Sequence, residues 1–143
     1  MLKTASSSTE KPVAESTTAP QKSAAPERWY GSEHVARGGT LFAQHCAECH
    51  GKNGEGASSW RRAGPDGKYP PPPLNGTGHA WHHPIQVLGA QIKWGAPGGQ
   101  GNMPSFGDRL SDQQIIDVIA WFQDRWTDEI YAQWWELELR SRQ

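Results

Sequence analysis

The chain has 143 residues, of which 35% are hydrophobic, and it contains 16 glycines and 11 prolines. This length fits one domain of ordinary size, and the frequent glycine and proline argue against a wide sheet or long uninterrupted helices. The formal net charge of −1 excludes the strongly basic balance typical of a nucleic-acid-binding protein, and no apolar run approaches the roughly 18 to 20 residues that a membrane span requires.

Residues 1–28 are rich in serine, threonine, alanine and proline and contain no aromatic residue. Such a segment buries too little apolar surface to offset the entropy of ordering, so it predicts a flexible tether over residues 1–28 and a folded domain over residues 29–143. The tether suggests attachment to a membrane anchor or a fused partner, with an inert tail as the alternative. No apolar segment follows Met1, so we expect any signal or anchor segment to be missing from this chain.

The first helix is predicted to begin at Ser32 and to run to about Cys46, because apolar residues recur along one side of it. Residues 51–79 hold seven glycines and several prolines, which predict a long loop with little regular structure. A second helix is predicted between Pro84 and Gly95, where aliphatic residues again have helical spacing.

The strongest helix signal starts at Ser111-Asp112, with acidic residues expected on the face away from the core. The predicted core positions of this helix are Ile115, Ile116, Ile119 and Phe122. Residues 127–139 predict either a further helix behind a kink or an extension of the same one. No alternating β pattern of useful length is present, so the expected fold class is all-α with long loops.

Both cysteines lie in the pentapeptide Cys46-Ala47-Glu48-Cys49-His50, whose spacing is that of covalent c-type haem attachment. Two thiols add to the two vinyl groups, the two-residue spacer matches their separation, and the neutral imidazole that follows can reach the iron. The eight tryptophans of the chain also need a large apolar surface to pack on, and a flat haem provides one.

Three other uses of the cysteines compete with haem attachment. A thioredoxin-like dithiol requires a βαβ context, which the chain lacks. A zinc site would recruit Cys46, Cys49, His79 and His83, but the 29 residues between Cys49 and His79 far exceed the usual finger loop. A disulfide across two intervening residues is strained. The zinc site also leaves His50 and the many aromatic residues unexplained.

The sixth ligand to a haem iron is predicted to be Met103, in the loop Gly101-Asn102-Met103-Pro104. Apart from Met1 it is the only methionine, and it lies well downstream of His50 and just before the strongest helix. A thioether suits low-spin iron and raises its reduction potential relative to a second imidazole. Filling a gap in the core is the alternative role.

With these residues the chain resembles the class I single-haem cytochromes c, over about Ser32 to Trp126. In that family a glycine and an aromatic residue four positions apart cross the last helix, and Gly38 and Phe42 occupy those positions here. The resemblance implies that their partners are Ile119 and Phe122. The neighbouring Gly39 is then expected to face elsewhere.

The family also places a Pro-x-Leu-x-Gly segment beneath the proximal histidine, and Pro72-Pro73-Leu74-Asn75-Gly76 matches it. The resemblance implies that the Pro72 carbonyl accepts the Nδ1 proton of His50 and that Leu74 packs on the haem ring. Between His50 and Pro72 the chain is longer than the smallest family members. The sequence leaves the purpose of this insertion, roughly residues 55–69, open; it could shield or reshape one haem edge.

The resemblance implies an all-α cytochrome c fold around one haem c that is bonded to Cys46 and Cys49. It implies His50 and Met103 as the metal ligands. Pro72 and Leu74 are also implied to belong to the cofactor site. The implied function is one-electron transfer in the periplasm or otherwise outside the cytoplasm, and not catalysis. The expected partners are redox proteins such as an oxidase, reductase or dehydrogenase, and no binding to nucleic acid is expected. The protein is expected to be a monomer or weak dimer.

Two alternatives for the function stay open at this point. One is a peroxidase-like haem enzyme in which Met103 is displaceable. The other is a metal-binding module that uses the cluster His79, His82 and His83, whose plainer interpretation is a surface or haem-propionate role.

The Trp-rich segment 131–135 is expected to close over the domain's own core, with a partner or dimer contact as its alternative.

Overall fold

The computed structural model describes residues 26–96 and 101–143 of the protein. These residues form five α-helices and one 3₁₀ turn at Ala80–His82, and their only β feature is an isolated parallel bridge between Tyr69 and Gly101. The helices are α1 (Ser32–His45), α2 (Ala47–His50), α3 (Ile85–Trp94), α4 (Asp112–Gln123) and α5 (Asp128–Ser141). The predicted all-α class is therefore confirmed. In the part of the chain described, no helix has the length and apolar character needed to cross a bilayer.

The starts of α4 and α5 follow from local capping residues. The Ser111 hydroxyl accepts the Gln114 N–H at 3.1 Å, and the Gln114 side chain accepts the Ser111 N–H at 2.8 Å, which forms a capping box. The Thr127 hydroxyl accepts the Ile130 N–H at 3.2 Å. Because Thr127 caps a new helix, residues 127–139 belong to a separate element and do not extend α4.

Helices α1 and α4 cross in close contact at Gly38, where a Cβ atom would overlap the backbone carbonyl oxygen of Asp117 and lie 3.0 Å from Trp121 Cβ. One turn later Phe42 stacks on Trp121, with ring centroids 4.3 Å apart. The prediction that Gly38 and Phe42 meet Ile119 and Phe122 is therefore wrong at Gly38, whose nearest neighbours on α4 are Asp117 and Trp121. Ile119 and Phe122 are buried in the same core cluster as Phe42 and Trp121.

An ion pair between the exposed Arg37 and the buried Asp117 also joins the two crossing helices. Asp117 is only 1% exposed, and its carboxylate accepts hydrogen bonds from Arg37 Nε at 2.9 Å and Gln113 Nε2 at 3.1 Å. The expectation that every acidic residue of α4 faces away from the core is therefore wrong at Asp117. Its burial is compensated by a charge-assisted hydrogen bond and an amide donor.

The crossing yields a first prediction. Gly38→Ala is expected to lower the free energy of unfolding by about 3 kcal/mol, since an added methyl group meets a backbone carbonyl that cannot move alone. A Cβ at Gly39 would lie 2.8 Å from Trp121 Cδ1. Gly39 therefore also faces α4, and the expectation that it faces away from the crossing is wrong. Because an indole ring shifts more easily than a backbone, Gly39→Ala is expected to cost about 1 kcal/mol. Chemical denaturation of the two holoproteins measures both values, and equal losses would contradict this crossing.

The two ends of the domain pack on each other. Tyr131 and Trp134 of α5 are fully buried in the core, as expected for a Trp-rich segment that closes over its own domain. Arg28, the last residue of the predicted tether, donates to the Gln123 carbonyl at 2.9 Å and to the Trp126 carbonyl at 3.0 Å. The packed domain therefore includes Arg28, and residues 1–25 of the predicted tether lie outside the described residues.

Candidate haem site

The cysteine motif forms one helical turn. Both the Cys49 and His50 N–H groups donate to the Cys46 carbonyl, at 3.2 and 2.9 Å, and this turn is the short helix α2, which ends at His50. Positions three and four residues apart share one face of a helix, so the two thiols and the imidazole project toward the same side. Cys46 is buried and Cys49 is exposed. Burial raises the pKa of Cys46 to about 11, so its thiol stays protonated at neutral pH.

The His50 ring is oriented by a single backbone contact. It is 8% exposed, and its Nδ1 atom lies 2.9 Å from the carbonyl oxygen of Pro72. A carbonyl only accepts, so Nδ1 carries the proton and Nε2 keeps its lone pair. Burial lowers the pKa of His50, while the bond to Pro72 acts in the opposite direction. The ring is therefore neutral with Nε2 as its basic atom, which is the form that binds a metal.

The segment that carries Pro72 is fixed by a tight loop after α2. The Gly56 N–H donates to the His50 carbonyl at 2.6 Å, and the Leu74 N–H donates to the Gly54 carbonyl at 2.7 Å. Gly56 has φ of +70°, and a Cβ there would lie 2.5 Å from the Pro72 carbonyl carbon. Glycine is therefore required for this close approach. Leu74 is half-buried beside the core, and its carbonyl accepts the Trp126 indole N–H at 2.8 Å.

The loop that carries Met103 is fastened to the C-terminal end of α3. The Phe106 N–H donates to the Ile92 carbonyl at 3.1 Å, and the Gly107 N–H donates to the Lys93 carbonyl at 3.0 Å. The Met103 carbonyl accepts the Ala96 N–H at 3.1 Å. The Met103 side chain is half-buried, and its sulfur lies 3.9 Å from the Gln91 amide nitrogen. Three backbone bonds thus limit where this thioether can go.

These groups match the chemistry of haem c. The set contains two thiols on one face, a neutral imidazole with a free Nε2, and a soft thioether on a fixed loop. Large apolar side chains also remain exposed on α3, with Trp94 66% and Val87 46% exposed. A c-type haem would need these donors and such an apolar surface.

Comparison with known proteins decides the family. Residues 33–122 match the family model described as "Cytochrome C oxidase, cbb3-type, subunit III". The chain belongs to the class I c-type cytochromes. It is also similar to cytochrome c6 of Picosynechococcus sp., with 32% identity over 91 residues, which cover 64% of this chain and 73% of the relative. No solved structure matches the chain significantly.

Membership of this family settles the class of function. Cytochromes of this class carry one covalently bound haem c with its iron, and both cysteines of this chain have the attachment spacing. The protein is therefore a haem-based electron-transfer protein that exchanges electrons with redox proteins. The alternative of a peroxidase-like enzyme is not supported.

The histidine cluster does not form the metal site of the alternative interpretations. The rings of His79 and His82 stack at 5.6 Å between centroids, with Trp60 against one and Trp81 against the other. Within residues 26–96 and 101–143, no group of three or more histidine, cysteine or acidic side chains is arranged to hold a metal. Neither the Cys/His zinc site nor the three-histidine module is formed in this part of the chain.

This arrangement yields a second prediction. Cu²⁺ is expected to bind the cluster with an apparent Kd above about 1 μM, because two stacked imidazoles do not enclose a cation. Calorimetric titration of the holoprotein and of a His82→Ala, His83→Ala variant measures this. A sub-micromolar site that disappears in the variant would contradict the prediction.

The insertion before Pro72 contacts the loop of the predicted sixth ligand. Tyr69 forms the β bridge to Gly101, and Asp66 Oδ2 accepts from Asn102 Nδ2 at 3.5 Å. At its other end, the Ala57 N–H donates to the Pro71 carbonyl at 2.9 Å. The insertion therefore connects the segment beneath His50 with the loop of Met103. That it shields one haem edge remains a prediction.

Proposed function

We propose that this cytochrome is an extracytoplasmic one-electron carrier in which Cys46 and Cys49 hold haem c, His50 is the fifth ligand and Met103 the sixth. The observation that carries this proposal is the contact of 2.9 Å between His50 Nδ1 and the Pro72 carbonyl. It leaves Nε2 of a buried, neutral imidazole as the donor atom beside the two cysteines. When bound, the haem supplies an Fe(III)/Fe(II) couple for outer-sphere transfer of one electron.

The Pro72 carbonyl has two effects on His50. It fixes the tautomer and the orientation of the ring, and by accepting the Nδ1 proton it raises the basicity of Nε2. Because Gly56 and Ala57 bond to the chain on either side of this contact, the folded backbone around His50 helps to fix the position of its ring. Such preorganisation keeps structural change small when the oxidation state changes.

Met103 completes the ligand set as a soft donor. A thioether favours the reduced iron and so raises the reduction potential relative to a second imidazole. If His50 and Met103 both bound the iron, no coordination position would be left for a substrate, which agrees with a carrier role. Leu74 is the side chain proposed to pack on the ring beside Pro72.

The partners and the location are part of the same proposal. Residues 31–106 carry six basic and four acidic groups, too mild an excess for strong electrostatic steering. Docking to a redox protein should therefore rely on apolar contact at the haem rim. We propose that this protein docks as a monomer or weak dimer. The family description names a subunit of a cytochrome c oxidase, which supports an oxidase among the partners, with a reductase or dehydrogenase as donor.

A spectroelectrochemical titration of the holoprotein tests the proposed function. We expect one reversible one-electron step and a low-spin spectrum in both oxidation states, because both axial ligands come from the protein. A high-spin spectrum in the resting protein, or a potential that depends on added Cu²⁺, would contradict it.

A further inference from the structure

Helix α5 lies beyond residue 122, where the match to the cytochrome family model ends, yet it reaches back to the start of α3. The Glu138 side chain accepts the Ile85 N–H at 2.8 Å. Four residues earlier on α5, the Trp134 indole N–H donates to the His83 carbonyl at 2.8 Å. Two side chains of α5 thus hold the backbone on both sides of Pro84, the residue that precedes α3.

Glu138 acts as an N-cap that α3 does not possess itself. The residue at the N-cap position is Pro84, which makes no side-chain capping bond. Glu138 is 3% exposed, and its second carboxylate oxygen accepts from Arg142 Nε at 2.8 Å. A carboxylate at a helix N-terminus satisfies a free N–H group and interacts favourably with the helix dipole. A buried acid of α5 therefore stabilises the first turn of α3.

The opposite end of α3 carries the Met103 loop. The carbonyls of Ile92 and Lys93 accept the Phe106 and Gly107 N–H groups. A ten-residue helix is about 15 Å long, so α3 acts as a rigid connection between Glu138 at one end and the methionine loop at the other.

We propose that Glu138 is a positioning residue for the sixth ligand, acting through α3. This inference rests on the proposed ligation by Met103. When the cap is lost, the first turn of α3 loosens and the helix shifts against its neighbours, so the loop bonds at its other end hold Met103 less firmly. The fraction of molecules with the thioether displaced then rises. An added ligand binds only those molecules, so its apparent affinity rises in proportion to that fraction.

Imidazole binding to the ferric holoprotein measures this fraction. Glu138→Ala is expected to bind imidazole about tenfold more tightly than the parent, which corresponds to about 1.4 kcal/mol. Glu138→Gln keeps an acceptor for the Ile85 N–H and should restore an affinity near that of the parent. Trp134→Phe removes the indole N–H together with part of a buried ring, and it should tighten binding several-fold, so it tests the proposal even if Glu138→Ala does not accumulate as holoprotein.

Gly39→Ala is the matched control, because it destabilises the α1–α4 crossing and leaves both ends of α3 unchanged. Its imidazole affinity should equal that of the parent. An equal increase in imidazole affinity in Gly39→Ala and Glu138→Ala would show general loosening of the fold and overturn the proposal. Imidazole affinity like that of the parent in Glu138→Ala would also overturn it. If Glu138→Ala does not accumulate as holoprotein, the same result in Trp134→Phe would overturn it. A separate measurement tests whether Met103 is the sixth ligand. If it is not, Met103→Ala will bind imidazole with the same affinity as the parent.

Discussion

Replacing both cysteines, Cys46→Ala with Cys49→Ala, is expected to abolish covalent haem attachment and cooperative folding together. Only 35% of the residues are hydrophobic, and a chain of this size with so small an apolar content lacks an adequate core without the porphyrin. Leu74 and Met103 are only partly buried, and Trp94 is largely exposed. The variant should therefore be expanded and sensitive to protease.

Intact mass and limited proteolysis measure these two effects. The control is Glu48→Gln, which changes an exposed residue between the cysteines and should keep both the haem mass and the resistance to protease. A cooperative thermal transition of the double variant near the temperature of the parent would contradict the account.

Met103→Ala is expected to keep the haem attached, convert the iron to high spin and lower the reduction potential. The thioether stabilises the reduced state, so its loss should lower the potential by roughly 0.2 V, within the range of about 0.8 V that axial ligands span. Potentiometry and the visible spectrum measure both effects.

Met103→His provides a second comparison for the sixth ligand. It restores a strong donor, so it should return the iron to low spin while the potential stays low. An unchanged potential and spin state in Met103→Ala would show that another residue, such as a histidine at positions 79 to 83, is the sixth ligand.

The helices and the haem motif could be predicted because their signals are local. Ser111 and Thr127 cap the helices that follow them, and the two cysteines with His50 share a face through spacing alone. The Pro72 contact was implied by the family resemblance, since it depends on a segment 22 residues away that the loop at Gly56 brings close.

The errors concern how the helices are rotated against one another. Helical periodicity marks which residues of α4 are apolar, but it does not show which face meets α1, so the partner of Gly38 was misplaced. For the same reason Asp117 was expected on the solvent side, although Arg37 compensates its burial. The cap that Glu138 provides is not predictable from the sequence, because the helix that it caps starts 53 residues earlier and no local pattern marks such a contact.

The most direct test of the central claim, ligation by His50 and Met103, is the proton NMR spectrum of the reduced holoprotein labelled with [methyl-¹³C]methionine. The chain contains two methionines, so two methyl signals are expected. A coordinated Met103 holds its methyl group over the porphyrin ring, and the ring current should move its signal far upfield while that of Met1 stays at an ordinary position. Two methyl signals at ordinary positions would contradict the account.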